Sequence, residues 1–209
     1  MSEYSVQEER VNVITHAIGF ALSCTAFIFL VLRATTLGGF TQVVSVGLFG
    51  FGLMVLYAAS TLYHSSKHER KRKRLKIFDH AAIYVLIAGT YTPFTLITLS
   101  GKTGWLIFSI SWSMAIAGIV LKLFFTGKYK ALSTFMYVLM GWMIVFAINP
   151  LMNNLHITGL YWLVAGGVAY TIGAILYSFK QIKFNHAIFH IFVLIGSFCH
   201  FMAVYFYVL

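Results

Sequence analysis

The sequence predicts an all-α integral membrane protein, a bundle of seven transmembrane helices. Composition is the first reason: 60% of the 209 residues are hydrophobic and 10% are charged, with a mean hydropathy of +0.85. A soluble domain needs more polar surface than this chain provides. The second reason is spacing, because a spanning helix takes about 20 mostly apolar residues. Such stretches occur at about 11–33, 43–64, 77–99, 104–122, 131–148, 159–179 and 185–208.

The first stretch is expected to be a retained helix. It follows Glu8 and Glu9 instead of a basic leader, and no small-residue cleavage site ends it, so it differs from a signal peptide. Little sequence remains outside the seven stretches. We therefore expect a single membrane domain over residues 1–209, without a soluble domain.

Two of the later stretches carry marks of helix packing. Pro93 is expected to kink the third helix beyond its midpoint, because proline cannot donate the helical hydrogen bond. In the sixth stretch, small residues recur every four positions, a pattern that lets membrane helices approach closely. These residues are Ala165, Ala169 and Gly173.

The distribution of lysine and arginine predicts the orientation of the bundle. With seven spans, the N-terminal segment and the connections after the second, fourth and sixth spans share one side. All lysines and arginines except Arg33 and Lys102 fall on that side, including Lys122, Lys128 and Lys130 around the fourth connection. Basic connections of membrane proteins stay in the cytoplasm. We therefore expect a multi-pass protein of the cell (inner) membrane, with its N-terminus in the cytoplasm and its C-terminus outside.

The densest basic stretch, residues 67–76, lies between the second and third spans. A short connection has no room for a nucleic-acid-binding domain, and the stretch lacks interleaved aromatic residues. We expect no nucleic acid partner. Instead, these side chains are expected to fix the topology and to lie against the anionic heads of membrane lipids, which are the predicted partners.

Ionisable side chains within the apolar helices, or at their ends, cluster at one depth. The second helix runs toward the cytoplasm, so His64 lies at its inner end and Ser60 lies one turn deeper on the same face. The third and seventh helices start inside. This places Asp79 in the first turn of one, and His186 and His190, at i and i+4, on one face of the other. Three helices thus present three imidazoles, a carboxylate and a hydroxyl at one level.

This combination of side chains is typical of a zinc site, although iron, nickel and cobalt accept the same ligands. Three protein ligands leave the fourth tetrahedral position open, as in catalytic sites. Asp79 is the only acidic residue after Glu69, and a carboxylate beside an open metal position can act as a base or orient water. The expected metal ligands are His64, His186 and His190, the expected catalytic residues are Asp79 and Ser60, and the expected cofactor is a zinc ion.

Simpler roles stay open for each of these residues. The histidine pair could be a packing element or a proton relay, Asp79 could only cap the third helix, and Ser60 could bond only its own helix backbone. Glu9, Asn12 and His16 follow helical spacing at the start of the first helix. They could orient the metal ligands through hydrogen bonds, or they could form a frayed polar start.

The remaining histidines are not expected to join the cluster. His200 follows the first histidine of the seventh helix by fourteen residues, about 21 Å along the axis. His156 and His68 fall in connections and are expected to be solvated. His80 points about 100° away from its neighbour Asp79, so a packing or supporting role is favoured over ligation.

These residues resemble the progestin and adiponectin receptor (PAQR) superfamily. The matching motifs are Ser60-xxx-His64, Asp79 at the start of the third helix, Gly89 through Pro93, and His186-xxx-His190 followed by His200-Phe201. The opening from Glu8 to His16 and the overall length are similar to its bacterial hemolysin III branch. The resemblance covers nearly all seven spans.

The resemblance implies a site more firmly than an activity. Relatives hold zinc through three histidines that match His64, His186 and His190, with Asp79 and Ser60 placed to hold water or substrate. Receptor members are associated with ceramide hydrolysis, and the wider superfamily includes alkaline ceramidases. The bacterial branch is named for haemolytic activity, and its members are linked to membrane energy and lipid homeostasis.

Three functions from different classes are compatible with these observations. In the first, a ceramidase-like hydrolase of lipid amide or ester bonds, the metal polarises an acyl carbonyl, Asp79 takes a proton from water, and Ser60 or the metal steadies the oxyanion. The second is a zinc-stabilised sensor or regulator of membrane lipid or energy homeostasis. The third is a pore-forming haemolysin or channel, which the lack of a continuous polar stripe disfavours. The open coordination and the lone carboxylate favour the hydrolase. The sequence leaves the substrate and the oligomeric state open.

Overall fold

The computed structural model describes residues 4–125 and 130–209, and within these ranges the chain forms helices and no β-strand. Seven helices are long and apolar enough to cross a membrane. They are α1 (Val6–Leu37), α2 (Phe40–Ser65), α3 (Glu69–Leu99), α4 (Gly101–Phe125), α5 (Leu132–Asn154), α6 (Ile157–Ser178) and α7 (Asn185–Val208). The predicted fold class, an all-α bundle of seven spans, is confirmed.

Two helices begin five or more residues earlier than the sequence predicted. α1 begins at Val6 instead of residue 11, and α3 begins at Glu69 instead of residue 77. The basic stretch therefore forms the first turns of a helix and not a loop. Lysine and arginine favour helix, and Lys73 Nζ lies 3.1 Å from Glu69 Oε1 one turn away. Of the basic residues used to predict orientation, Lys128 lies outside the described residues.

α3 departs from regular α-helix at its C-terminal end, and α5 departs from it near its middle. In α3, the wider π-helical segment Phe94–Leu99 directly follows Pro93, which lacks the N–H of a regular ladder. In α5, the segment Met143–Ala147 tightens into 3₁₀-helix, which the sequence did not predict. The hydroxyl of Tyr91 on α3 compensates for this break. It accepts the N–H of Ile144 at 2.9 Å and donates to a carbonyl of the preceding turn at 3.1 Å.

Glycines bring α2 and α3 into backbone contact. An ideal Cβ at Gly89 would lie 2.8 Å from the carbonyl oxygen of Leu48, and one at Gly52 would lie 3.2 Å from the carbonyl oxygen of Val85. Only residues without a side chain permit helices to approach this closely. The N-terminal half of α2 therefore lies directly beside the C-terminal half of α3.

The contact between α6 and α7 uses a slightly different set of small residues from the predicted one. Gly166, Ala169 and Gly173 are buried, whereas Ala165 is exposed. A Cβ at Gly166 would lie 2.2 Å from the ring of His200 on α7. The buried residues are spaced by three and then four positions, which follows the helical period of 3.6 more closely than two spacings of four. The first small residue of the contact is therefore Gly166 and not Ala165.

The exterior of the bundle is apolar. Large hydrophobic side chains are exposed on all seven helices, and Phe40 and Phe146 each reach 85% exposure. Polar side chains such as Asn12 (0% exposed) and His190 (1% exposed) lie inside. This distribution suits a hydrocarbon surrounding, where polar groups must be satisfied within the protein.

Candidate metal centre

Three histidine rings from two helices meet near one end of the bundle. His64 comes from the last turn of α2, and His186 and His190 come from the first turns of α7. Nε2 of His186 lies 3.0 Å from Nε2 of His64 and 3.0 Å from Nε2 of His190. One ligand atom from each ring lies within 4.8 Å of the others. All three residues are buried.

A hydrogen bond between α2 and α7 sets the register of these rings. The buried Tyr57 donates its hydroxyl proton to the hydroxyl of Ser197 at 2.8 Å. His64 follows Tyr57 by seven residues, and His190 precedes Ser197 by seven residues. Because the two helices run antiparallel, both histidines lie two turns, about 10.5 Å, from this bond in the same direction.

Asp79 and Ser60 lie beside the histidine cluster. Ser60 is one turn before His64 on α2, and its hydroxyl lies close to the carboxylate of Asp79 on α3. Asp79 is also close enough to His64 for an electrostatic interaction. Both residues are buried, with 1% exposure for Ser60 and 8% for Asp79. Among the described residues, the group that could hold a metal contains the three histidines and does not include Asp79.

Side chains of α1 determine which ring nitrogen faces the centre. Glu9 Oε2 lies 2.6 Å from Nδ1 of His64, and because an ionised carboxylate only accepts hydrogen bonds, Nδ1 carries the proton. The hydroxyl of Thr15 lies 3.4 Å from Nδ1 of His190 and donates its own proton to the carbonyl of Val11 at 2.8 Å. Nδ1 of His190 is therefore also the donor. Both rings keep a lone pair on Nε2.

The resulting arrangement of nitrogen atoms suits a metal cation. The Nε2 lone pairs of His64 and His190 both face Nε2 of His186, which can donate at most one proton. Without a metal, His186 can donate to only one of these two rings. The Nε2 lone pair of the other ring then faces a nitrogen atom at 3.0 Å with no proton between them. A divalent transition-metal ion accepts all three lone pairs, and neutral imidazole is a preferred ligand of zinc. The residues present therefore fit the metal that the sequence predicted.

Aromatic rings cover the cluster. Tyr4 stacks on His186 with ring centroids 4.7 Å apart and planes inclined by 20°, and its hydroxyl lies 3.2 Å from that of Tyr177. Nδ1 of His186 has no hydrogen-bond partner among the described residues, so ring packing orients this histidine. His16 stacks on His190 with centroids 3.4 Å apart. The centre is therefore enclosed by rings.

The histidines that were not expected in the cluster lie elsewhere. His200 is buried, and its Nε2 lies 3.2 Å from a backbone carbonyl of α6. His68 and His156 are exposed, and His156 caps α6 by accepting a backbone N–H at 3.2 Å. His80 is partly buried next to Asp79. The placement of these four residues agrees with the sequence analysis.

A small apolar cavity lies in the other half of the bundle. Its volume is about 110 Å³, and it is lined by residues of α3, α5, α6 and α7, including Tyr91, Gly141, Gly167 and His200. His200 lies ten residues, about 15 Å, beyond His190 along α7. No residue of the histidine cluster lines this cavity.

Two residues around the cluster, Tyr4 and Arg72, were not predicted from the sequence. Tyr4 lies before the first apolar stretch, and no spacing argument connects it to the site. Arg72 was interpreted only as part of a basic connection. The helical period could have identified it, because once α3 extends to Glu69, Arg72 lies two turns before Asp79 on the same face.

Comparison with known proteins gives consistent matches along almost the whole chain. The family described as "Haemolysin-III related" matches residues 4–201. "Hemolysin-3" from Bacillus cereus is 48% identical over 204 residues, which cover 98% of this chain and 93% of the relative. "Hemolysin-3 homolog" from Bacillus subtilis (strain 168) is 46% identical, covering 98% and 96%. "Monocyte to macrophage differentiation factor" from Homo sapiens is 30% identical over 174 residues, covering 78% and 70%.

These matches confirm the resemblance that the sequence motifs suggested. Together with the seven apolar helices, they indicate a multi-pass membrane protein, and in bacteria the membrane concerned is the cell membrane.

Proposed function

We propose that this chain, which belongs to the haemolysin-III-related family, is a zinc-dependent hydrolase of amide or ester bonds in membrane lipids. One observation carries the proposal. The carboxylate of Asp79 is buried beside three converging imidazoles, lies close to the Ser60 hydroxyl, and does not belong to the ligand group. A carboxylate held next to a metal without ligating it is typical of a general base.

The protein side chains divide the chemistry between them. A zinc ion held by His64, His186 and His190 would supply Lewis acidity, polarising an acyl carbonyl and making water more acidic. Asp79 would accept a proton from the attacking water and pass it to the leaving group. The Ser60 hydroxyl would hold that carboxylate in place, or donate to the oxygen that gains negative charge.

The surroundings of the site support a lipid as the substrate class. The histidines lie within helices whose outer faces are apolar, so a lipid substrate would approach them from within the bilayer. The hydrolysed bond would lie near one membrane surface, because His64 is at the end of α2 and His186 at the start of α7. Amide and ester bonds of membrane lipids lie near that level, below the polar heads.

A second candidate function is a zinc-stabilised sensor or regulator of membrane lipid or energy homeostasis. Two observations favour it. The cavity of about 110 Å³ is remote from the histidines, and Tyr4 and His16 pack flat against two of the three rings. A metal that only holds α2 and α7 together would need neither a substrate channel nor Asp79.

Replacement of Asp79 by asparagine separates the two functions. The hydrolase predicts that Asp79→Asn keeps about one zinc per chain while lipid amide or ester turnover falls by roughly a hundredfold or more, because general-base catalysis is typically worth 10² to 10⁴. Zinc would be measured by elemental analysis, and turnover with amide- and ester-linked lipids in nanodiscs.

Ser60→Ala is the matched comparison, for which a smaller loss of turnover is expected because the metal can stabilise the oxyanion. Two results would reject the hydrolase. One is loss of zinc from Asp79→Asn, which makes Asp79 a fourth ligand of a closed site. The other is a zinc-loaded wild type that turns over neither class of lipid, which leaves the regulator.

A further inference from the structure

The first turns of α1 contact the metal centre without supplying a ligand. Glu9 holds Nδ1 of His64 at 2.6 Å, and its side chain is only 13% exposed. The opposite ring nitrogen of His64, Nε2, faces Nε2 of His186 at 3.0 Å. The carboxylate and the proposed metal position therefore lie on opposite sides of one imidazole ring.

This arrangement determines the protonation pattern of His64. A carboxylate cannot donate, so it selects the tautomer with hydrogen on Nδ1 and a lone pair on Nε2. It also fixes the rotation of the ring about its side-chain bonds. Both the tautomer and the rotation must be correct for Nε2 to bind a metal.

Arg72 holds Glu9 in this position. Its guanidinium forms an ion pair with the second carboxylate oxygen, Oε1. The same guanidinium donates through Nη1 to the carbonyls of Tyr63 and Ser66, both at 3.3 Å. Because those carbonyls belong to the C-terminal end of α2 and the residue after it, Arg72 ties Glu9 to the helix that carries His64. Its positive charge also offsets the charge of a partly buried carboxylate.

We propose that Glu9 is a positioning residue of the metal centre: it holds His64 as the Nδ1–H tautomer with Nε2 directed at the metal, and Arg72 anchors it there. The inference rests on the proposed metal centre and deepens it. In this proposal, α1 controls the metal affinity although it supplies no ligand. The competing explanation is that Glu9 and Arg72 only join α1 to α3.

Metal titration of four variants tests this role. Loss of a carboxylate that orients a ligating histidine typically costs 10- to 100-fold in metal affinity, and that loss is expected for Glu9→Ala with Zn²⁺ and with Co²⁺. Glu9→Gln should recover part of it, because an amide oxygen still accepts from Nδ1. Arg72→Ala should lose less than Glu9→Ala, because the bond between Glu9 and His64 remains. Glu69→Ala, which removes an exposed carboxylate from the start of α3, is the control and should match the wild type.

A second measurement needs no metal. Nitrogen-15 NMR of labelled histidines in metal-free nanodiscs should show His64 as the Nδ1–H tautomer in the wild type and a mixture of tautomers in Glu9→Ala. Unchanged metal affinity and an unchanged tautomer in Glu9→Ala would overturn the role of Glu9. So would an equal loss of affinity in Arg72→Ala and Glu9→Ala, which would identify a helix-joining pair. A wild type that binds neither metal would instead reject the proposed centre, and the role of Glu9 with it.

Discussion

His190 and His200 lie on the same helix and are both buried, at 1% and 7% exposure, but their surroundings differ completely. His190 faces His186 at 3.0 Å, and Thr15 of α1 lies at its other nitrogen. His200 faces a backbone carbonyl of α6 at 3.2 Å and borders an apolar cavity. Burial of an imidazole therefore does not identify a ligand. What distinguishes the metal-centre half of the bundle is that three imidazoles from two helices direct nitrogen lone pairs at one point.

The two halves also differ in how their helices are held together. Around His190, hydrogen bonds and an ion pair from α1 and α3 orient side chains. Around His200, a glycine makes room for the imidazole, because a Cβ at Gly166 would collide with the ring. Polar contacts fix directions, as a reactive site requires, whereas glycine contacts fix only distances. Three changes test this contrast, in order of decreasing effect.

The largest effect is expected from removing a single ligand. His186→Ala should lower zinc affinity by orders of magnitude, because one of three bonds is lost and the two remaining rings no longer enclose the ion. His64→Ala and His190→Ala should behave alike. His200→Ala, from the same helix, and His156→Ala should leave affinity unchanged. Competition with a zinc-binding dye in detergent solution measures the difference, and zinc retained at one per chain in all three cluster variants would exclude this ligand set.

A change of membrane orientation is expected from neutralising the basic residues between Arg70 and Lys76. The positive-inside rule predicts that this basic end of the bundle is cytoplasmic, so replacing these residues with glutamine should give mixed orientation or poor insertion of α3. Reporter tags after Leu209 should read outside in the natural sequence. A cytoplasmic tag there would reverse the assignment and place the metal centre at the outer surface.

The smallest effect concerns the glycine contact that places α2 beside α3. Gly89→Ala introduces a Cβ 2.8 Å from a backbone oxygen, whereas Gly47→Ala in α2 meets nothing within 4 Å. Both changes bring the same gain in helix propensity. Gly89→Ala should therefore be less stable than Gly47→Ala by about 1–3 kcal/mol, the usual cost of overpacking. Thermal unfolding in one detergent compares them, and equal stability would show that the helices separate freely.

Much of the fold and the meeting of the histidines could be predicted because both depend on simple periodicities. Apolar stretches of spanning length give the helices, and their order gives the depth of each residue. The spacing of His186 and His190 places them on one face, and alternation of direction brings His64 of α2 to the same end. These arguments need only the helical rise and the membrane.

Contacts that depend on tertiary packing were not predictable in the same way. The 3₁₀ segment Met143–Ala147 contains no proline or glycine, and its freed N–H is accepted by Tyr91 from another helix. For Glu9, the sequence left two roles equally open, a hydrogen bond to a metal ligand or a frayed polar helix start. The position of its carboxylate depends on Arg72, which the sequence placed in a loop. Tyr4 carries no periodic signal at all. Side chains that contact a site from irregular segments can be identified only from the structure.

X-ray absorption at the zinc edge of the purified wild-type protein is the direct test of the three-histidine zinc centre. We expect one zinc per chain, bound by three imidazoles at about 2.0–2.1 Å and one further light atom, with no sulfur ligand. The imidazole count comes from the scattering of the outer ring atoms. A zinc ion with fewer than three imidazoles, a sulfur ligand at about 2.3 Å, or a protein that takes up no zinc would contradict it.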